Sequence, residues 1–214
     1  MEILQEVLSR ANIRESDWDV TIIGDGSGTG WNDACGWASI LIDKETRSRK
    51  TFYGGMNLGS INLAEQMPYL QALTWYDANV GRERLKTKGM IRVHIITDSD
   101  FTAKTGNIAA NPRESLLRTQ QPLWAAFREF GKLGYVIKFH WAPRLESGLN
   151  DMSDLIAGLT RREVKGIDVS PLDGDRSHVA ANAVGRVRFV DPMTQQPISP
   201  YEINPDGQLP AQNP

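Results

Sequence analysis

Asp19-Val20-Thr21-Ile22-Ile23-Gly24-Asp25-Gly26-Ser27 is the stretch from which the rest of this chain is read. Its apolar, β-branched run predicts a strand buried on both faces, over residues 19–23. The run ends in Gly-Asp-Gly-Ser, so Asp25 stands at the mouth of a buried strand. Gly24, Gly26, Gly28 and Gly30 follow at alternate positions, which predicts a loop or bulge of unusual backbone freedom over 24–32. Residues 36–43 and 49–55 read as a second and a third strand, with Asp43-Lys44-Glu45-Thr46 as the hairpin turn between them. Upstream, Ile3, Leu4, Val7 and Leu8 form one stripe of a short helix over 2–10.

Three further acids stand in comparable settings. Glu65 opens Glu65-Gln66-Met67-Pro68-Tyr69-Leu70, near the head of a long helix expected over 62–79. Pro68 falls early in that helix, where its missing N–H is tolerated. Asp98 closes the strand expected over 90–97, and Ser99 or Asp100 can cap the helix after it. Asp154 lies on a helix expected over 150–163, with Asp151 one turn before it. A helix over 122–133, with Leu123, Trp124, Phe127 and Phe130 as its apolar face, and a strand over 134–141 complete the series. Singly, each acid has a bland explanation as a turn residue, a helix cap or a solvated helix charge. Brought together by the fold, they form a cluster of like charges that needs cations. Hard oxygen donors select Mg²⁺, or Mn²⁺ in its place.

Composition narrows the classes. The chain has 214 residues with 40% hydrophobic and 23% charged content, which fits one globular domain with extensions. The single Cys35 excludes an intramolecular disulfide framework and any multi-cysteine metal site. A reducing, cytoplasmic setting is expected. The N-terminus lacks the apolar core of a secretory signal, and no apolar run reaches the ~20 residues that span a membrane. A net charge of −2 gives no general attraction to phosphate, so nucleic-acid contact must come from local patches and cations. From Gly166 onward the chain turns proline-rich and mildly acidic, with Arg186 to Val190 the one apolar strand candidate and a protein partner the natural use.

Asp25-Gly26-Ser27, then Glu65-x-Met67 with Ala72-Leu73, then Thr97-Asp98-Ser99, then Asn150-x-x-x-Asp154-x-x-Ala157 resemble, in that order, the motifs of type 1 ribonuclease H. Any one motif is weak; four in order, each in its setting, are specific. The resemblance covers about residues 17–165. It implies an α/β fold: a mixed five-stranded sheet, the first three strands antiparallel, flanked by helices. The organisation implied is a helical extension over 1–16, a catalytic domain over 17–165 and a proline-rich extension over 166–214. The implied activity is hydrolysis of the RNA strand of RNA–DNA hybrids with two metal ions. By resemblance, Asp25 bridges the ions, Glu65 and Asp98 complete the sites, and Asp154 is the outer ligand. Gly26, Ser27, Thr29 and Asn62 are the implied contacts to the hybrid, and Trp31 can stack on a sugar or pack.

The chain departs from that family in two places. The loop before the last helix, Ala142-Pro143-Arg144-Leu145-Glu146-Ser147-Gly148, lacks the histidine many members carry. Arg144 is the candidate for that place; it can hold a departing phosphate but cannot act as a base. His140, among Phe139 and Trp141, reads as structural or as a substrate-edge contact, and His94 and His178 carry no expected role. The basic handle of some bacterial members is absent. Arg82, Arg84, Lys86 and Lys88 cluster instead after the first helix, where a solvated helix end is the simpler reading. Two alternatives stay open: a nuclease of the same fold acting on a DNA junction or duplex RNA, and a non-catalytic nucleic-acid-binding module.

Overall fold

A computed structural model of the protein describes residues 8–9, 11–108, 121–143, 149–165, 189–190 and 197–198. Strand β1 (Val20–Ser27) lies at the centre of a five-stranded sheet. β2 (Trp31–Asp43) pairs antiparallel with it and with β3 (Arg49–Ser60); β4 (Ile91–Thr97) pairs parallel with β1, and β5 (Tyr135–Trp141) parallel with β4. The order is β3-β2-β1-β4-β5, the mixed sheet with three leading antiparallel strands that the sequence predicts. The first six residues of β1 are buried, as its β-branched run requires.

Alternation sends neighbouring residues to opposite faces. Val20, Ile22, Val93 and Ile95 meet Leu70, Leu73, Trp124 and Phe127 on one face. Ile23, Ile40 and Ile96 meet Leu8, Ile13 and Trp18 on the other, so the N-terminal segment covers part of the sheet. The rest of that face is covered by the last helix, whose Ile156 and Ala157 pack on Ala38.

The expected helix over 62–79 is instead a series of pieces. α1 (Ile61–Ala64) stops at Glu65, α2 (Met67–Tyr76) restarts after Gln66, and α3 (Arg82–Lys88) follows a π-helical turn at Asp77–Gly81. Pro68 is the reason for the first break: it has no N–H to offer Ala64, so the ladder cannot propagate. The π turn wraps the Tyr135 phenol, which donates to Asp77 at 2.9 Å and occupies the space a side chain on Gly81 would need. Gly89, at φ 71°, closes α3 in the left-handed conformation.

The strands also run longer than expected. β2 begins at Trp31 rather than at 36, and β3 continues to Ser60. Only Gly30, at φ 114°, uses a conformation reserved for glycine in the 24–32 stretch. The remaining helices are α4 (Asp100–Ile108), α5 (Gln121–Leu133) and α6 (Leu149–Val164). Ser99 caps α4, its hydroxyl accepting from the Thr102 N–H at 3.2 Å. Of the helix expected over 2–10, residues 8–9 are helical and the rest lies outside the described residues. In the tail, Phe189–Val190 pairs antiparallel with Pro197–Ile198, within the expected strand.

The basic cluster after the first helix is held by acids. Arg82 pairs with Asp77, Lys86 with Glu83, and Lys88 with Glu45 and Asp19. Arg84 departs from the solvated reading. It is 9% exposed and donates to Asp43 at 2.5 and 3.3 Å and to the Tyr76 hydroxyl at 2.5 Å.

Candidate active site

Parallel pairing of β1 and β4 brings their C-terminal ends side by side, the usual place for a site on such strands. Asp25 sits near the end of β1 and Asp98 directly follows β4. The buried Tyr69 hydroxyl lies at 2.7 Å from the Gly24 carbonyl, to which it donates, and 3.4 Å from that of Ile96, holding the two strand ends just before each acid.

Glu65 reaches them because α1 lies directly on β1. A Cβ on Gly26 would fall 2.5 Å from the Ala64 carbonyl carbon and 2.6 Å from the Glu65 nitrogen. On Gly28 it would fall 3.2 Å from the Ile61 Cα. These glycines therefore serve close approach of backbone to backbone, and not the backbone freedom the sequence suggests. Ser60 fixes the start of α1 by accepting from the Leu63 N–H at 3.2 Å. Asp154 arrives on α6, which is seated on β2 and β3 by the same device. A Cβ on Gly36 would lie 2.4 Å from the Ala157 carbonyl oxygen, and one on Gly55 2.7 Å from the Val164 side chain.

Carboxylate oxygens of Asp25, Glu65 and Asp98 all lie within 4.8 Å of one another. Asp154 comes within hydrogen-bonding reach of Asp25. Asp25 is buried and accepts from the Gly26 N–H at 2.7 Å. Burial, reinforced by the charges of Asp98 and Asp154, pushes its carboxyl up to about 8. All the donors are hard oxygens carrying like charge, so the set fits Mg²⁺ or Mn²⁺.

The other expected site residues fall in different places. Gly26 supports α1. Ser27 and Asn62 are partly exposed beside the acids. The Thr29 hydroxyl donates to Asp33 and accepts from Arg161 at 2.9 Å, so it ties the β1–β2 loop to α6. Arg144 lies outside the described residues, as do the side chains of Trp31, Asn150 and Asp151. His140 stacks on His94 with ring centroids 4.7 Å apart, and burial beside His94 and Lys138 pushes it down to about 4. It is neutral in the physiological range, and the stacking fits the structural one of the two roles expected of it.

Two features escaped the sequence reading. Trp141 is 51% exposed, and its indole N–H donates to the Asp98 carbonyl at 3.0 Å. The bond ties the indole to the main chain at Asp98; the sequence shows this residue only as a neighbour of His140 in the strand expected over 134–141. A cavity of about 460 Å³ also opens beside Ser27 and Asp154, lined further by Gly158, Arg161, Arg162 and Lys165. Helical spacing from Asp154 would have put Gly158, Arg161 and Arg162 on one face, but not the cavity itself.

No family model and no curated protein matches the sequence. Among solved structures, a ribonuclease H1 isolated from compost by a metagenomic approach aligns with TM-score 0.51 and 16% identity, over 69% of this chain and 98% of that one. The N-terminal ribonuclease H domain of a Mycobacterium tuberculosis protein aligns with TM-score 0.49 and 17% identity, over 69% and 96% of the two chains. That of ribonuclease H1 from Halobacterium salinarum aligns with TM-score 0.45 and 18% identity, over 67% and 98%. The likeness to the compost enzyme shows a ribonuclease H-like fold. No helix among the described residues is long and apolar enough to cross a membrane.

Proposed function

We propose that this protein is a divalent-cation-dependent endonuclease that hydrolyses the RNA strand of RNA–DNA hybrids. One observation carries the reading: the oxygens of Asp25, Glu65 and Asp98 gathered within 4.8 Å at the ends of neighbouring parallel strands, with Asp154 at their edge. The fold it shares with a ribonuclease H1 supports the substrate class. Asp25 would stand between two cations, Glu65 and Asp98 would complete their sites, and Asp154 would be the outer ligand. Cations held there supply activation of the attacking water and neutralisation of the leaving 3′ oxygen. The protein's part is placement. The Gly26 N–H fixes one Asp25 oxygen, and Asp25 would have to be ionised to hold a cation. Trp141 steadies the main chain at Asp98. Ser27, Thr29 and Asn62 border the strand that enters, where 2′-hydroxyls distinguish RNA from DNA. Arg144 would hold the departing phosphate.

The test is cleavage of labelled RNA–DNA hybrid, duplex RNA, duplex DNA and a four-way junction, each with Mg²⁺, with Mn²⁺ and with chelator. Cuts in the RNA strand of the hybrid, lost on chelation, are expected. Cleavage of the junction or of duplex RNA alone would move the substrate, and no cleavage of any rejects the reading.

Gly26→Ala gives a further expected result. The added methyl must displace Ala64 and Glu65, because it meets main chain that cannot rotate away. Overpacking of this kind costs about 1–3 kcal/mol. A displacement of the order of an ångström at a catalytic group lowers turnover by ~10²-fold. Gly28→Ala, with 3.2 Å available, should do much less of both. Urea melts and initial rates on the hybrid distinguish them; equal effects at the two positions would contradict the close-approach account.

A further inference from the structure

We infer that the cavity beside Asp154 is a phosphate track, gripping the sugar–phosphate backbone of the bound strand on one side of the cut. The inference rests on the nuclease reading above and adds to it a binding surface for the substrate away from the acids.

Gly158, Arg161 and Arg162 stand four, seven and eight residues after Asp154 along α6, on one face of the helix, and Lys165 follows directly after its end, its N–H donating to the Arg161 carbonyl at 3.1 Å. All of them line the same cavity, and Ser27 closes it at the end of β1. The cavity thus runs from the outermost acid to a group of cations, with Leu155 and Leu159 also on its wall. At ~1.5 Å per residue, Arg161 lies ~10 Å and Lys165 ~16 Å from Asp154 along the helix axis. A nucleic-acid strand rises ~3.4 Å per nucleotide, so the cations fall roughly three to five nucleotides from the acids.

The cations are set in place rather than loose. Arg161 donates to the Ala34 carbonyl at 3.0 Å and pairs with Asp33 at 3.2 Å, and Lys165 pairs with Asp33 at 3.1 Å. Asp33 is itself fixed by Thr29 and by the Ala34 N–H at 2.8 Å. Arg162 is exposed. Gly158 supplies the floor: a Cβ there would meet nothing within 4 Å. Alanine would fit and would favour the helix, so the bare backbone serves to leave room for something that comes close. Cations in a last helical turn also complement the helix dipole. That alone accounts neither for the cavity nor for its continuity with Asp154. The occupant that fits is a polyanion. The whole chain has a net charge of −2, so a nucleic-acid ligand needs a local patch; Arg161, Arg162 and Lys165 set three cations against the single acid Asp33, whereas Arg82, Lys86 and Lys88 meet Asp77, Glu83, Glu45 and Asp19.

Two variants test it separately. Arg162→Gln/Lys165→Gln removes two charges and leaves Arg161 on its main-chain anchor. Gly158→Leu fills the groove without changing charge. Hybrid binding is measured by fluorescence anisotropy over a salt series in chelator, and hydrolysis by steady-state kinetics with Mg²⁺. The charge variant should lower the slope of log K against log salt by about 1 to 2, since each phosphate contact contributes ~0.9. KM should rise five- to twentyfold in both variants, and the rise should vanish on hybrids cut back to two nucleotides on the gripped side. Unchanged slope and KM with normal hydrolysis by the native protein would overturn the track and leave the nuclease reading standing. Salt-sensitive binding that these variants abolish, in a native protein that cuts nothing, would uphold the track and reject the nuclease. Absence of both binding and hydrolysis would reject both.

Discussion

Asp25→Asn should abolish hydrolysis of the hybrid, by ~10³-fold or more, which is at least ~4 kcal/mol of transition-state stabilisation. The same substitution should stabilise the protein when no cation is present. Asp25 is buried among Asp98 and Asp154, and its folded-state carboxyl is raised to about 8 from an ordinary value of 3.8. A carboxyl raised on folding stabilises the fold where it is protonated in both states, below the ordinary value. That contribution is lost as pH climbs through the raised one. Metal-free native protein should therefore lose stability between roughly pH 4 and pH 8 on account of this group. The asparagine variant should not, and at pH 9 it should lead by on the order of 1–3 kcal/mol, or roughly 3–10 °C in midpoint. Asp98→Asn should behave alike in the assay. Thermal melts in chelator at pH 5, 7 and 9 decide the matter. A variant that melts below the native protein at pH 9 would show the acid to be structural.

Arg84→Ala should be among the most damaging single changes to stability, far from the acids. Arg84 joins α3 to the β2–β3 turn through Asp43, and to α2 through Tyr76. Asp43 is 2% exposed. Burial works against its charge, but the Arg84 guanidinium and the Thr46 N–H more than offset this and hold its carboxyl below the usual range. Removing one partner of a buried pair leaves the other uncompensated, at about 3–5 kcal/mol. For a chain of this size that is roughly 6–20 °C in midpoint. The double variant Arg84→Met/Asp43→Leu should recover most of the loss, since a buried pair is readily replaced by apolar groups. Because the Asp43 carboxyl is depressed, the native pair contributes above the ordinary value of 3.8 and fades as pH falls through the lower one. Arg84→Ala should thus differ most from the native protein at neutral pH and least in acid. A cost below ~1 kcal/mol would mean the pair is solvated.

The strands were legible because burial on both faces leaves an unmistakable β-branched run at Val20–Ile23 and at Val93–Ile96. Asp25 and Asp98 were legible because they stand at the ends of such strands, and Glu65 and Asp154 because they lie on the helical segments that the motifs mark. What escaped notice depends on contacts across the fold. In one dimension Gly26 looks like a loop residue and Gly36 like the first residue of a strand; only the arrival of α1 and α6 shows that they clear room for another main chain. Arg84 looks like its charged neighbours until Asp43, 41 positions away, turns it inward. Pro68 reads in the sequence as an early residue of one long helix, where its missing N–H is tolerated, whereas in the fold it breaks the helix at Glu65. Arg161, Arg162 and Lys165 carry a helical period that points back to Asp154, and that signal was present and unread.

The central place of β1 has a consequence for the order in which the four acids come together in a newly made chain. The β1–β2–β3 meander closes between neighbours in sequence and can form early. Alignment with β4 joins Arg92 to Asp19 across 73 positions, and docking of α6 joins Arg161 to Ala34 across 127. Such distant closures are the slow ones. Each acid enters with a different closure, so no intermediate holds the complete set. A chain that has formed only the meander holds Asp25 without Asp98 or Asp154, and the full set of acids comes together only with the two distant closures.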